Sequence, residues 1–210
     1  HTETDSAALF LLENWQATER LALNLGGRAE HTRIEPNAKD NERFAENDGS
    51  RSFTAGSLST GAVYQLTPIW SLAGTLAYTE RAPTFYELYA NGAHAATGTY
   101  EVGEANASKE KAVSTDLALR FDSGRHKGSV GVFYSRFSNY IGLLASGRYR
   151  DEEGAVVGAG DDEALPEYLY SGVKADFYGV EAQDRIHLLD SPYGRFDLEL
   201  SGDYTRAKNK

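Results

Sequence analysis

The residues best suited to coordination chemistry lie between positions 87 and 104. His94 stands among small neighbours, Asn91-Gly92-Ala93-His94-Ala95-Ala96-Thr97-Gly98, where an imidazole can reach a cation without being buried. Glu87, Glu101 and Glu104 offer carboxylate oxygens close by in sequence. Imidazole nitrogen and carboxylate oxygen are the ligands Zn²⁺ takes when thiolates are lacking, and the chain has no Cys. His94, Glu101 and Glu104 are therefore the candidate metal ligands. Their spacing is not a ligand signature of the kind two histidines at i and i+4 provide. An ordinary exposed loop histidine is the competing reading, and a complete site would need donors from other segments.

Other chemistry is poorly represented. Asp161-Asp162 is a carboxylate pair in a polar loop with no base placed by spacing, and Ser57-Leu58-Ser59-Thr60-Gly61 is a strand and not a nucleophile elbow. The chain has no His-Glu-x-x-His and no phosphate-binding loop, so it reads as a non-enzyme that requires no cofactor. A formal net charge of -10 argues against nucleic acid, whose binders present a basic face. No run of about 18 apolar residues offers a transmembrane helix. The mean hydropathy of -0.50 looks soluble, but membrane barrels hide their apolar residues in alternation.

The elements that would position these residues are strands, because the dominant signal has period two. Leu21, Leu23, Leu25, Gly27 and Ala29 share one face while Asn24, Arg28, Glu30 and Thr32 share the other. The same dyad recurs with Trp70, Leu72, Gly74, Leu76 and Tyr78, and with Tyr178, Val180, Ala182, Ile186 and Leu188. It returns with Phe196, Leu198, Leu200, Gly202 and Tyr204. The pattern predicts about eight strands, near 7–16, 20–34, 52–66, 70–80, 110–121, 128–141, 170–189 and 194–206. Short connections, such as Leu66-Thr67-Pro68-Ile69 and Asp190-Ser191-Pro192-Tyr193, alternate with long polar ones over 35–51, 81–109 and 142–169. Short turns at one end and long loops at the other are the layout of an outer-membrane barrel. A soluble β-sandwich or lipocalin-like barrel remains open on periodicity alone, since either face could be the outer one. The long acidic loops and the many Gly and Ala at apolar positions favour the membrane.

Several motifs carry a family resemblance. Glu80-Arg81-Ala82-Pro83-Thr84-Phe85-Tyr86-Glu87-Leu88-Tyr89 resembles the Arg-Ala-Pro and aromatic-Glu-Leu element that opens a surface loop in TonB-dependent receptors. Leu25-Gly26-Gly27-Arg28, Glu110-Lys111 and Phe133-Tyr134 with Asn139-Tyr140-Ile141 also resemble that family's strands, so the resemblance covers nearly the whole chain. The stretch 91–101 is similar to a branch that includes the zinc-uptake receptors. The resemblance implies an all-β fold: an antiparallel transmembrane β-barrel, here partial, about eight strands of a larger barrel of roughly 22. Residues 1–210 are then expected to be a segment of the barrel domain, with the plug domain absent from the chain and His1 following an excision or processing. Taken alone, such a segment is not expected to fold.

The resemblance further implies a cell outer membrane location in a Gram-negative bacterium. It implies partnership with the TonB-ExbB-ExbD complex through the plug, and contact with outer-membrane lipid and lipopolysaccharide. The expected transported ligand is zinc, with a ferric siderophore or haem as alternatives and a passive porin or structural barrel as an alternative of another class. Haem-importing relatives pair the Arg-Ala-Pro box with an Asn-Pro-Asn-Leu box, and Glu101-Val102-Gly103-Glu104-Ala105-Asn106 stands in its place here. Asp151-Glu152-Glu153, Asp161-Asp162-Glu163 and Glu167 are expected to sit in loops, solvated against lipopolysaccharide or steering cations. His31, His126 and His187 read as surface or lumen polarity.

Overall fold

The computed structural model describes residues 2–36 and 49–210. The expectations for His1 and for most of the 35–51 loop lie outside the described residues. The elements are β1 (Thr2–Thr18), β2 (Leu21–Pro36), β3 (Arg51–Gln65), β4 (Trp70–Arg81), α1 (Phe85–Tyr89), β5 (Asn91–His94) and β6 (Thr99–Val102). They continue with β7 (Glu110–Asp122), β8 (His126–Arg150), β9 (Val156–Val157), β10 (Leu165–Ser191) and β11 (Gly194–Asn209). The eight long strands pair antiparallel in the order β1-β2-β3-β4-β7-β8-β10-β11. Among the described residues β11 pairs only with β10 and β1 only with β2, so the sheet is an open section of barrel wall.

Register converts the period-two pattern into two faces. Tyr64, Leu72, Leu119, Val130, Ala182 and Gly202 are successive cross-strand partners and form one apolar row. The next residue along each strand gives the row Gln65, Ser71, Arg120, Ser129, Gln183 and Ser201 on the opposite face. The apolar face is the exposed one: Leu58 is 68% and Val130 is 61% exposed, and Leu9, Leu76, Leu117 and Val132 are exposed with them. In water each such side chain would forgo about 1.5–3 kcal/mol of burial; hydrocarbon removes that penalty. The opposite face carries Arg28, Glu30, Asp116 and Glu181, the polar side that a membrane barrel turns to its lumen.

Aromatic residues bracket the apolar band. Trp15, Tyr64, Trp70 and Phe121 lie toward the short turns, and Tyr78, Tyr134, Tyr178 and Tyr204 toward the loops. Trp70 and Tyr78 are eight residues apart on β4, about 26 Å along the strand at ~3.3 Å per residue, or roughly 20 Å along the membrane normal at a tilt of about 40°, the greater part of the ~25 Å apolar band of a membrane barrel. Two carboxylates, Glu13 and Asp184, share register with the outward residues Leu25 and Leu200.

Two expectations are corrected. β8 and β10 run to Arg150 and from Leu165, so the loop expected at 142–169 contracts to 151–164 and a two-stranded tower rises beyond the outer belt. The 81–109 loop contains α1 and the β5–β6 hairpin. Separately, a bulge between His187 and Leu189 sets Leu189 opposite Phe196.

The buried cluster Ile34, Phe53, Leu88, Tyr89 and Ala107 shows where the 82–109 loop goes. Ile34 and Phe53 continue the inward faces of β2 and β3, so α1 folds back over the mouth of the lumen. The Tyr89 hydroxyl donates to the Gly49 carbonyl at 3.0 Å, and Arg51 donates to the carbonyls of Ala105 and Ala107.

The two faces respond differently to charge. Leu117→Arg, on the lipid side, is expected to lower the unfolding free energy of the full receptor by about 2–4 kcal/mol. Asp116→Asn, one residue away and lumenal, should leave it within about 0.5 kcal/mol; denaturant titration in vesicles measures both. The 210-residue chain by itself, refolded in detergent, should give no cooperative monomer by size exclusion and thermal circular dichroism, because both outer strands expose unpaired edges.

Candidate functional site

The site is built outward from the end of β4. Pro83 lacks an N–H and cannot extend the ladder, and Thr84 begins a new element as the N-cap of α1. Its hydroxyl accepts from the Glu87 N–H at 3.3 Å, and its own N–H donates to Glu87 Oε2 at 2.7 Å, closing a capping box. Arg81 grips the same carboxylate with both Nη atoms, at 2.8 and 2.9 Å, and reaches Glu110 Oε2 at 3.2 Å. Glu87 is thus committed to fastening α1 to the barrel rim.

The β5–β6 hairpin follows. Its tip turns at Gly98, whose φ of 62° suits glycine, and the Gly98 N–H donates to the His94 carbonyl at 2.9 Å. At its base Gly103 passes against α1, where an added Cβ would come within 2.6 Å of the Leu88 carbonyl. β6 then adds in parallel to the upper part of β10, pairing Tyr100, Glu101 and Val102 with Glu167, Tyr168 and Leu169.

A charged knot secures that junction. Glu167, with no side-chain exposure, accepts from Arg148 Nε at 2.8 Å and from Arg150. Burial alone would raise its pKa, but hydrogen bonds from Arg150, Ser146 and Arg148 hold it below the ordinary carboxylate value. The Arg150 guanidinium lies 5.5 Å from the centroid of the Tyr100 ring, and the buried Tyr100 hydroxyl donates to Asn91 Oδ1 at 2.8 Å. The tower, β6 and β5 are therefore one linked unit.

On this unit His94 and Glu101 meet. His94 Nδ1 lies 2.8 Å from Glu101 Oε1 and 3.1 Å from Thr97 Oγ1. Glu101 is buried, and its Oε2 accepts from the Tyr170 hydroxyl at 3.2 Å. Tyr170 stands on the tower, beyond the outer aromatic belt. Burial and the neighbouring Glu101 charge push its phenol up to about 12. An ionised carboxylate only accepts, so Nδ1 is the donor to Glu101 and Nε2 is the ring nitrogen left for another partner. The His94 side chain is 54% exposed and Nε2 has no partner among the described residues.

Of the expected ligands the structure brings His94 and Glu101 together. Glu104 turns to its own loop, accepting from the Asn106 N–H at 2.9 Å. Among the described residues no three His, Asp or Glu side chains are grouped to hold a metal. Glu167 leaves the acidic-loop set, since its charge is neutralised within the knot. His187 fits lumen polarity: its ring bridges Asp197 at 2.8 Å and Asp190 at 3.0 Å. His31 pairs with Thr54 Oγ1 at 3.1 Å within β2, where the sequence suggests a strand end. His126 opens β8 instead of lying in the turn and contacts Asp184 at 2.7 Å. Tyr170, Tyr100 and the arginine pair were not foreseen. The capping box was a readable signal for α1; nothing local links Tyr100 to Arg150 or Glu101 to Tyr170.

Comparison with known proteins places this geometry. Residues 1–210 match the family model described as TonB dependent receptor-like, beta-barrel. The iron-regulated outer membrane virulence protein of Vibrio cholerae serotype O1 is 24% identical over 208 residues, covering 98% of this chain and 28% of its own length. The copper transporter OprC superposes with a TM-score of 0.69 at 19% identity, over 99% of this chain and 29% of that one. The FrpB iron transporter of Neisseria meningitidis gives 0.62 at 12% identity, over 99% and 26%. The chain therefore spans just over a quarter of the length of these relatives.

The knot can be loosened selectively. Glu167→Gln in the full receptor should speed amide exchange over 165–169 by roughly 10- to 100-fold, the scale of a lost charged hydrogen bond of about 1.5–3 kcal/mol, while β4 and β7 exchange unchanged. Because the folded Glu167 pKa is lowered, its contribution is complete above the ordinary carboxylate value of ~4.3 and fades only as pH falls through the lower folded value. Acidification through that lower folded value should make the wild type resemble the variant.

Proposed function

Because this chain belongs to the TonB-dependent receptor β-barrel family, we propose that it forms wall and surface loops of a receptor that imports a scarce metal, zinc, across the outer membrane. Its place is the outer membrane of a Gram-negative bacterium, and receptors of this family are transporters, not enzymes. Energy comes from the TonB-ExbB-ExbD complex acting on a plug contributed by another part of the receptor. Family membership weighs against a passive porin.

The observation that carries the zinc reading is the His94–Glu101 pair at the lumen mouth. Glu101 Oε1 holds Nδ1 at 2.8 Å, which leaves Nε2 on the opposite side of an exposed ring. A carboxylate behind a metal-binding histidine fixes the ring and raises its basicity. In this reading His94 is the ligand, Glu101 its support and Tyr170 the support of Glu101. Glu104 enters only if the loop rearranges, and the remaining donors come from the plug or other loops. No Cys or Met offers the soft sulfur that Cu(I) prefers. A ferric siderophore is the second reading, favoured by the iron-regulated relative in Vibrio cholerae. Haem ranks below it for want of the second box.

Calorimetry of the full-length receptor with Zn²⁺ tests this. His94→Ala should abolish or severely weaken saturable binding, and Glu101→Gln should weaken it about 10- to 100-fold, as loss of an outer partner does. Absence of zinc binding, or binding indifferent to His94, transfers the cargo to a ferric chelate.

A further inference from the structure

The outward face changes character above the loop-side aromatic belt. Each strand carries its own depth mark there, a belt tyrosine. Beyond Tyr134 on β8 comes Arg136, beyond Tyr178 on β10 comes Asp176, and beyond Tyr204 on β11 come Arg206 and Lys208. Each step of two residues keeps the side chain on the outward face and climbs ~6.6 Å along the strand. At a tilt of about 40° that is roughly 5 Å along the membrane normal. Arg136, Asp176 and Arg206 therefore stand in the headgroup layer, which is roughly 5–8 Å thick on each side of the hydrocarbon, and Lys208 stands one step higher.

These side chains form one patch. Arg136, Asp176 and Lys208 are successive cross-strand partners, and Arg206 pairs with Tyr178 just below them. Lys210 Nζ lies 2.5 Å from Asp176 Oδ2, and Asp176 is buried among its neighbours. Four cations thus meet one carboxylate, on a chain whose net charge is -10. Arg136, Arg206 and Lys208 are exposed, and none has a carboxylate within ion-pair distance among the described residues. Outward cations elsewhere above the belt are taken up: Arg33 by Glu35 at 2.9 Å, Lys111 by Glu80 at 3.7 Å, and Lys109 by the same Glu80. Beneath the patch the exposed Val132, Tyr134, Tyr178, Val180 and Tyr204 make a continuous apolar surface.

We propose that this patch binds the phosphorylated sugar headgroup of an outer-leaflet glycolipid, the lipid A part of lipopolysaccharide, without a bridging divalent cation, and that acyl chains lie over Val132 and Val180. The charge of the patch calls for an anion, its height for a headgroup, and the apolar surface beneath it for the chains that carry that headgroup. A phosphomonoester brings about -1.5 to -2 of charge and three acceptor oxygens, enough for two guanidinium forks and an ammonium. A phosphodiester such as that of phosphatidylglycerol brings a single charge. Arg136 and Lys208 stand two strands apart, about 10 Å at ~4.8 Å per strand, so both reach a phosphate seated between them. Asp176 is already neutralised by Lys210 and orders the cations without repelling that phosphate. The inference rests on the barrel-wall reading and is independent of the cargo.

Native mass spectrometry of the delipidated full-length receptor in EDTA tests it, with titration by bisphosphorylated lipid A, the same lipid A stripped of phosphate, and phosphatidylglycerol. The bisphosphorylated lipid should be retained roughly 10- to 100-fold more tightly than either other lipid, the scale of hydrogen bonds to charged groups. A variant combining Arg136→Gln, Arg206→Gln and Lys208→Gln should erase that preference. Arg120→Gln, which removes a cation from the lumen face, should leave it intact. All four side chains are exposed, so both variants are expected to fold, with an unchanged denaturant midpoint as the check. No Zn²⁺ enters the assay, so its outcome is separate from that of the zinc reading. Equal retention of the three lipids overturns the proposal, as does a preference that appears only when Mg²⁺ is restored, survives the folded triple variant, or is lost equally in Arg120→Gln.

Discussion

Hydrocarbon offers no partner to a backbone N–H or C=O, so a chain that crosses it as strands must satisfy each group through the next strand. The rest of this structure depends on that ladder. It forces neighbouring long strands into antiparallel register and makes successive side chains alternate between lipid and lumen. Hence one residue of displacement separates the row containing Leu119 and Val130 from the row containing Arg120 and Ser129. The aromatic belts, the small outward residues and the charged lumen face are all consequences of a ladder held at fixed height in a bilayer.

Beyond the outer belt water returns and the constraint relaxes. There the chain uses other means to stay ordered. β8 and β10 continue pairing as a tower, β6 joins the free side of β10, and a small apolar cluster pins α1 to the inward faces of β2 and β3. Charged hydrogen bonds do the remaining work: Arg81 with Glu87 and Glu110 at the rim, and Glu167 with Arg148 and Arg150 in the tower. The His94–Glu101–Tyr170 chain hangs on that frame, which is why an exposed loop histidine has a defined orientation.

Much of this was legible before folding. Strand number and the two faces follow from a local period of two, which a linear sequence records directly; the membrane reading needed the long acidic loops and the family motifs as well. His94 and Glu101 stood out for the same reason: few residue types coordinate metals, and these two lie within one loop. What only the tertiary structure decided involves partners far apart in the chain. That Glu101 is buried and tied to Tyr170, and that Glu167 is neutralised by Arg148 and Arg150, depend on pairings distant in the chain, whereas Glu87 and Glu104 find their partners Arg81 and Asn106 within a few residues. Register, bulges and the parallel docking of β6 set those pairings, and they arise from the summed fit of whole strands. No single stretch of sequence contains that information.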